Sequence, residues 1–407
     1  NLKINIKQKS GLLLWSFIVL LILITLSDSR LGLFSIATPL KVALIFALFL
    51  GNLRVYLTGK VEIPFYKYFI PFFTIAVLSV IAANTESGRI LKTVTYLLNL
   101  ALIPFLVARA YCYSSKEFLK FFLYTVLGIL LTGLVLKLIG FGGVTFVRYR
   151  GLLGNPNGLG LFTLFTAISF RIITYYHRDI MKRKHLWLAW GIILASLFLS
   201  NSRNSMISLG IFFIFSSNLF KYKRFLQLGT AAIAVISFSF LSQQAFQIIS
   251  AYDLQEQLRV ESLEDMQSGS GRKIAHDFAK QYISNNFWFG EGIGTTEQVF
   301  KEFGRELSDE GHQGNAHNSF FTIWMDTGVI GLVLFCLAWF IIFLKAEKLT
   351  GFGFPIMLTV AFSAYYESYL AAFLNPFTTL LLVILSLLTI PEFSRRKEEE
   401  TEETIQS

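Results

Sequence analysis

The chain has 407 residues, of which 54% are hydrophobic and 15% charged, with a formal net charge of +10. So apolar a composition over that length excludes a soluble globular protein and points to a polytopic membrane protein. With only two cysteines, Cys112 and Cys336, both in or beside apolar runs, neither a disulfide framework nor a cysteine metal cluster is available.

Crossing a hydrocarbon core of about 30 Å takes roughly 20 apolar residues in a helix. Twelve candidate runs occur, at 11–27, 31–50, 66–83, 88–108, 118–140, 151–176, 185–200, 204–220, 224–242, 317–344, 352–370 and 374–391. The first follows Lys3, Lys7 and Lys9 as a signal peptide would, but no small-residue cleavage site follows and the next run starts at once. It is therefore read as an uncleaved anchor. Two stretches are weak: 88–108 carries Arg89, Lys92 and Asn99, and 185–220 is divided by the polar turn Ser200-Asn201-Ser202-Arg203-Asn204. The expected organisation is nine spans over 1–242, a polar loop over 243–316, three spans over 317–391 and a tail over 392–407. The predicted fold class is thus all-α and polytopic, with about twelve transmembrane helices and one large loop containing amphipathic helices.

Lys and Arg concentrate in connections that share one side if the N-terminus is cytoplasmic, among them Arg54, Lys60, Arg109, Lys116, Arg178, Lys182, Lys221, Lys345 and the tail residues Arg395, Arg396 and Lys397. Most of the net charge then reads as topology, and no nucleic-acid partner is required. Arg148 and Arg150 before the sixth span, and Arg203 between the seventh and eighth, go against this bias and lie on the outer side with the 243–316 loop. Basic residues kept at membrane depth on that side call for an anionic partner.

Within the loop, Leu254, Leu258, Leu263 and Met266, and then Ile274, Phe278 and Tyr282, have helical spacing and predict two amphipathic helices on the outer surface. Ser268-Gly269-Ser270-Gly271 separates them, and Arg272 opens the second. Phe287-Trp288-Phe289 suits an interface, Gly290-Glu291-Gly292-Ile293-Gly294 allows close backbone approach, and 301–316 reads as a polar, mobile stretch able to act as a lid. Lys137 is expected to snorkel to the outer interface.

The loop ends in Ala316-His317-Asn318-Ser319. A histidine at that junction can accept a proton near neutral pH while screened from bulk water; the plain alternative is a wetted histidine at a helix start. A lipid-linked diphosphate would need its leaving group neutralised, and the guanidinium fork matches phosphate oxygens, so Arg148, Arg150, Arg203 and Arg272 form a candidate clamp, or else anchor lipid headgroups. In this reading His317 takes a proton from an acceptor sugar hydroxyl and Asn318 orients the acceptor or the ring. Gly154-Asn155-Pro156-Asn157-Gly158 reads either as a helix-opening turn or as a backbone and amide surface for sugar or phosphate, with Asn155 and Asn157 as supporting residues. Glu367 and Asp326, acidic residues within spans, are candidates to pair with an arginine or to hold His317 in one tautomer. No metal-ligand spacing and no Gly-Lys-Ser/Thr phosphate loop occurs, so neither ATP nor a metal or other cofactor is implied.

Several blocks resemble, in order, those of the O-antigen ligase and polymerase superfamily. They are Arg148-Tyr-Arg-Gly151 with Gly154-Asn-Pro-Asn157, Ser200-Asn-Ser-Arg203, Ser270-Gly-Arg272 with Gly290-Glu-Gly-Ile-Gly294, and His317-Asn318 followed after nine residues by Gly328 and then Gly331. Arg259-Val-Glu-Ser-Leu263 also resembles an Arg-x3-Leu element of the ligases. The resemblance implies a metal-independent, inverting, membrane-embedded glycosyltransferase in the bacterial inner membrane with its site facing the periplasm. The donor would be a glycan on undecaprenyl diphosphate; the acceptor would be lipid A-core oligosaccharide in a ligase or another lipid-linked repeat unit in a polymerase. By similarity Arg148 and Arg203 would hold the diphosphate, Arg272 and Arg259 would assist, and His317 would be the base. Arg150 stands where small polar residues are common, leaving open which of Arg148 and Arg150 meets phosphate. The His-Asn-x9-Gly spacing favours the ligase, with polymerase as the alternative. A transporter of glycolipid or small anions is a third reading and predicts charge through both leaflets.

Overall fold

A computed structural model describes residues 10–58, 65–83, 87–146, 148–217, scattered positions between 219 and 251, 272–309 and 314–394. The protein is an all-α polytopic membrane protein. Its helices are α1 (Ser10–Ser27), α2 (Ala37–Leu57), α3 (Tyr66–Ala82), α4 (Ser87–Tyr113), α5 (Ser115–Leu138), α6 (Pro156–Tyr176), α7 (Arg183–Ser200), α8 (Arg203–Phe215), α9 (Arg272–Asn285), α10 (Thr295–Glu302), α11 (Gly304–Asp309), α12 (Ser319–Thr350), α13 (Gly353–Tyr366) and α14 (Pro376–Leu388). Eleven of the twelve expected spans coincide with helices; the run 224–242 lies largely outside the described residues.

Among the described residues five helices are long and apolar enough to cross a membrane, namely α2, α4, α5, α6 and α12, and α1, α3, α8, α13 and α14 are shorter apolar helices. Several boundaries move from expectation. The second span starts at Ala37 rather than 31, because Gly32–Phe34 forms a 3-10 turn and Pro39 falls in the first helical turn, where its missing N–H costs nothing. The sixth begins at Pro156 rather than 151, and ahead of it Thr145–Phe146 pairs antiparallel with Arg148–Tyr149, Thr145 opposite Tyr149 and Phe146 opposite Arg148. Lys137 Nζ, near the end of α5, lies 5.3 Å from the centroid of the Tyr149 ring.

Helices α6 and α14 form the centre of the bundle. Every residue of α14 is buried, and α6 is buried around nearly its whole circumference, as hydrophobic-all-round helices must be. Both open the same way: Asn155 and Asn375 accept the N–H of Gly158 and Thr378 on their side-chain oxygens, and a proline occupies the first turn. Their N-termini therefore lie at the middle of one end of the bundle. That end collects the segments the charge bias assigns outward: Asp28 Oδ2 accepts from Gly154 N at 2.9 Å, and Lys41 Nζ donates to Leu374 O at 2.9 Å. The opposite end collects the inward ones, through Lys116 with Asp179 at 2.7 Å, Arg109 with Asn52, and Tyr176 Oη donating to Thr350 O at 2.9 Å.

Of the loop, α9 to α11 form a small helical layer against α12, with Ala275, Ala279, Ile283, Val299, Phe300, Leu307 and Met325 as its core. The buried stripe of α9 runs through Ala275, Ala279 and Ile283, one position on from the expected Ile274, Phe278 and Tyr282, which are partly buried and pack sideways. Small alanines let α9 approach α12 closely, while Phe278 meets Phe300 and Phe303 edge-on and tilted at 5.1 and 5.4 Å. The expected mobile stretch 301–316 is helical over Gly304–Asp309, because Leu307 inserts into this core. The expected helix 254–267 lies outside the described residues.

Candidate functional site

Glu367 is the hub of the site. It follows the last residue of α13 in extended conformation, φ −146° and ψ 145°, so it caps the expected eleventh span instead of lying within it. Its Oε1 accepts from Arg272 Nη2 at 2.6 Å and from Asn157 Nδ2 at 3.2 Å, and its Oε2 stands 3.9 Å from His317 Nδ1. Arg272 also lies over the Tyr366 ring, 5.8 Å from its centroid. The side chains of Arg272 and Glu367 are only 13% and 14% exposed, so the pair is held largely out of water.

Arg148 extends the network from the other side. Its Nη2 donates to Asn157 Oδ1 at 3.1 Å, and its Nη1 donates to the Ser200 and Asn201 carbonyls at 3.3 and 2.7 Å. Arg203 is the first residue of α8, half-buried and two residues beyond the Asn201 carbonyl that Arg148 holds. Arg150 turns away: Nε and Nη2 both donate to Gly143 O and Nη1 to Gly154 O, bracing the turn before α6. Arg148, Arg272, Asn157, Glu367 and His317 thus come together, Arg203 adjoins them, Arg150 does not join them, and Arg259 lies outside the described residues.

His317 is placed by backbone chemistry. It has a left-handed backbone, φ 45°, and its N–H donates to Asn315 Oδ1 at 2.8 Å. Asn318 then caps α12, its Oδ1 accepting from Phe320 N and Phe321 N at 2.9 and 3.0 Å. The side-chain oxygen of Asn318, the residue expected to orient the acceptor or the ring, is therefore engaged in the cap, as is that of Asn155 at α6. Three further bonds staple this turn to the hub: Asn318 N to Ser368 Oγ, Ser319 Oγ to Glu367 O and Leu370 N to Ser319 Oγ, at 3.0, 2.6 and 3.2 Å. Ser319 and Ser368 carried no signal in the sequence beyond ordinary polarity, yet they fix the imidazole relative to the carboxylate.

Asp326 does not reach His317. Its buried carboxylate accepts from Gly294 N at 2.9 Å, Thr296 N at 2.8 Å and Thr296 Oγ1 at 2.7 Å, locking the start of α10. Its carbonyl accepts from Gly292 N at 2.8 Å, possible because α12 breaks at Gly328. Arg89 and Lys92, the charges that weakened the fourth span, reach the same loop: Arg89 Nε donates to Gln298 Oε1 at 2.9 Å and Lys92 pairs with Glu297 at 2.6 Å.

A second histidine escaped the sequence reading. His276, one turn after Arg272, is buried between the Phe321 and Tyr365 rings at 5.3 and 5.8 Å, and its Nε2 has no hydrogen-bond partner among the described residues. Burial, helped by the charges of Arg272 and Lys280, pushes its pKa down to about 4. It is neutral when folded, whereas in the unfolded chain it titrates near 6.5. The stability it contributes is full above that value and lost as pH falls towards 4. The thermal midpoint in detergent should accordingly drop between about pH 6.5 and 4, and His276→Gln should flatten that drop.

Removing the hub charge should be costly. Glu367→Gln leaves the largely buried Arg272 without its anion, and a loss of about 3 kcal/mol is expected. Limited proteolysis of the α9 to α11 layer, measured beside the thermal midpoint, checks this.

These features define a multi-pass membrane protein with a polar, arginine-rich site built at one end of a helix bundle. Residues 188–336, a little over a third of the chain, match the family model described as O-antigen ligase. The match supports placing the chain in the O-antigen ligase superfamily, and it spans Arg203, Arg272 and His317. No curated protein matches the chain.

Proposed function

We propose that the protein is an O-antigen ligase, moving a glycan from undecaprenyl diphosphate to lipid A-core oligosaccharide at the periplasmic face of the inner membrane. The observation that carries this reading is the meeting at Glu367 of Arg272, Asn157 and His317, with Arg148 behind Asn157 and Arg203 alongside. Arg148, Arg203 and Arg272 receive the diphosphate; a guanidinium pairs two oxygens at once and stays charged. His317 takes the proton from the acceptor hydroxyl as its oxygen forms the bond to the anomeric carbon. The bond from that carbon to the phosphate oxygen breaks, and undecaprenyl diphosphate leaves with the electron pair. Attack from the face opposite the leaving group inverts the anomeric centre. Glu367 orients the imidazole and favours the positive charge that develops on it.

Gathering of the candidate arginines at one end supports an enzyme over a transporter, which would line a path through both leaflets. The His-Asn-x9-Gly spacing and the description of the matched family support a ligase over a polymerase. Incubating purified protein with lipid-linked glycan, with and without lipid A-core, tests the choice. Transfer that requires the core is expected; lengthening of the lipid-linked glycan without core would make the protein a polymerase.

A further inference from the structure

Behind the His317 turn lies a cavity of about 290 Å³, at the small end of small-molecule sites. It shares Asn315 and Ser368 with the turn that carries His317, but its other walls come from the ends of α1 and α2, the first turns of α4, the start of α10, Thr322 and Asp326 of α12 and the 371–376 segment. Glu367 and Ser368 are consecutive, so the carboxylate faces the arginines while the next side chain faces this cavity.

Its chemistry differs from that of the arginine cluster. Lys41 is 7% exposed, and among the described residues its ammonium makes one hydrogen bond, to the Leu374 carbonyl at 2.9 Å, leaving two donor positions for something in the cavity. The ammonium also lies 5.5 Å from the Phe373 ring centroid. Asp28 offers acceptor oxygen across the cavity, while Lys92 and Glu297 neutralise each other at 2.6 Å. With Asp28 and Asp326 both on its wall, the cavity carries no excess of positive charge, which disfavours a diphosphate. Donors, acceptors and an aromatic ring around a small volume fit a polyhydroxylated ring.

Backbone conformation supplies an independent observation. Among the described residues three non-glycines have left-handed backbones: Asn201, His317 and Leu374. Two belong to the arginine cluster, where Arg148 holds the Asn201 carbonyl; the third presents its carbonyl to Lys41. Strained backbone of this kind concentrates at functional sites.

We propose that this cavity binds an uncharged sugar ring of the acceptor, with Lys41 and Asp28 reading its hydroxyls and Phe373 its apolar face, on the far side of the His317 turn from the diphosphate. The inference rests on the glycosyl-transfer reading above. Full-length protein in detergent, given lipid-linked glycan at saturation and lipid A-core at varied concentration, tests it through Lys41→Met and Ala372→Trp. The second variant fills the cavity from an exposed wall position without removing a contact, which keeps the test valid if Lys41→Met folds poorly. Both should raise the acceptor KM about tenfold or more while binding of undecaprenyl diphosphate stays within about twofold of the parent. An acceptor KM unchanged in Ala372→Trp, or a rise in donor KM alone, overturns the assignment while leaving glycosyl transfer intact. Absence of transfer by the parent protein, with lipid A-core or with a lipid-linked acceptor, overturns both.

Discussion

His317→Ala should reduce glycan transfer by about 10²- to 10⁴-fold, the range that a positioned general base supplies. Binding of undecaprenyl diphosphate should change little, because the imidazole meets Glu367 at 3.9 Å and is stapled from its own backbone, while the arginines are held by other residues. The fold should survive as well: Asn318 retains the cap of α12, and a smaller side chain at a 29% exposed position opens no sealed cavity. Single-turnover transfer and donor binding, measured on the same preparation, separate the two effects. Arg203→Ala is expected to do the reverse, weakening donor binding first, and Arg203→Lys should restore only part because an ammonium cannot replace the guanidinium fork. A His317→Ala variant with parental turnover removes the base from the mechanism.

Gly328→Ala should be the most damaging substitution for the architecture of the site. Gly328 has φ 72° and ψ 177°, a region reached essentially by glycine alone, and a Cβ there would stand 2.1 Å from the Trp288 carbonyl oxygen and 2.5 Å from Phe289 Cα. The break it makes in α12 is where the loop is sewn in: Val329 N donates to Phe287 O at 2.9 Å and Gly292 N to Asp326 O at 2.8 Å. Gly290 answers from the other side, since a Cβ on it would meet Asp326 and Thr327 backbone at 2.3 to 2.4 Å. Strain and backbone overlap together imply a loss of about 3 kcal/mol or more. Because both partners are backbone, no side-chain rotation relieves the clash. The expected result is a protein that inserts in the membrane yet exposes α9 to α11 to protease, with transfer lost. Parental protease resistance and activity would contradict this interlock.

The spans and several members of the candidate site were legible in the sequence for a simple reason: apolar length and charge bias are local properties. Arg148, Arg203, Arg272 and His317 stood out because each breaks a local pattern, and the Gly290 to Gly294 run read correctly as a place of close backbone approach. What stayed hidden depends on partners far away in the chain. Asp326 looked like a partner for an arginine or for His317, yet it serves the backbone some thirty residues upstream, at Gly294 and Thr296. Arg150 is chemically the equal of Arg148; only the tight turn at Gly143 to Gly154 decides that its donors are consumed by carbonyls. Residues 369–374, Tyr-Leu-Ala-Ala-Phe-Leu, are apolar enough to carry a span on past Glu367, and nothing before Pro376 announces that Glu367 ends α13 and turns towards Arg272. The face of α9 was misread by one position because alanine carries little hydrophobic signal, although its small size is what allows that helix to pack closely.

The proposed glycosyl transfer requires the groups around Glu367 to hold a lipid-linked diphosphate while its sugar is passed on. A structure of the protein with an undecaprenyl diphosphate analogue bound tests it most directly. Phosphate oxygens are expected within hydrogen-bond distance of guanidinium groups from Arg148, Arg203 or Arg272, with the sugar-bearing oxygen beside His317. A diphosphate lodged at the opposite end of the bundle, or remote from these side chains, would contradict it.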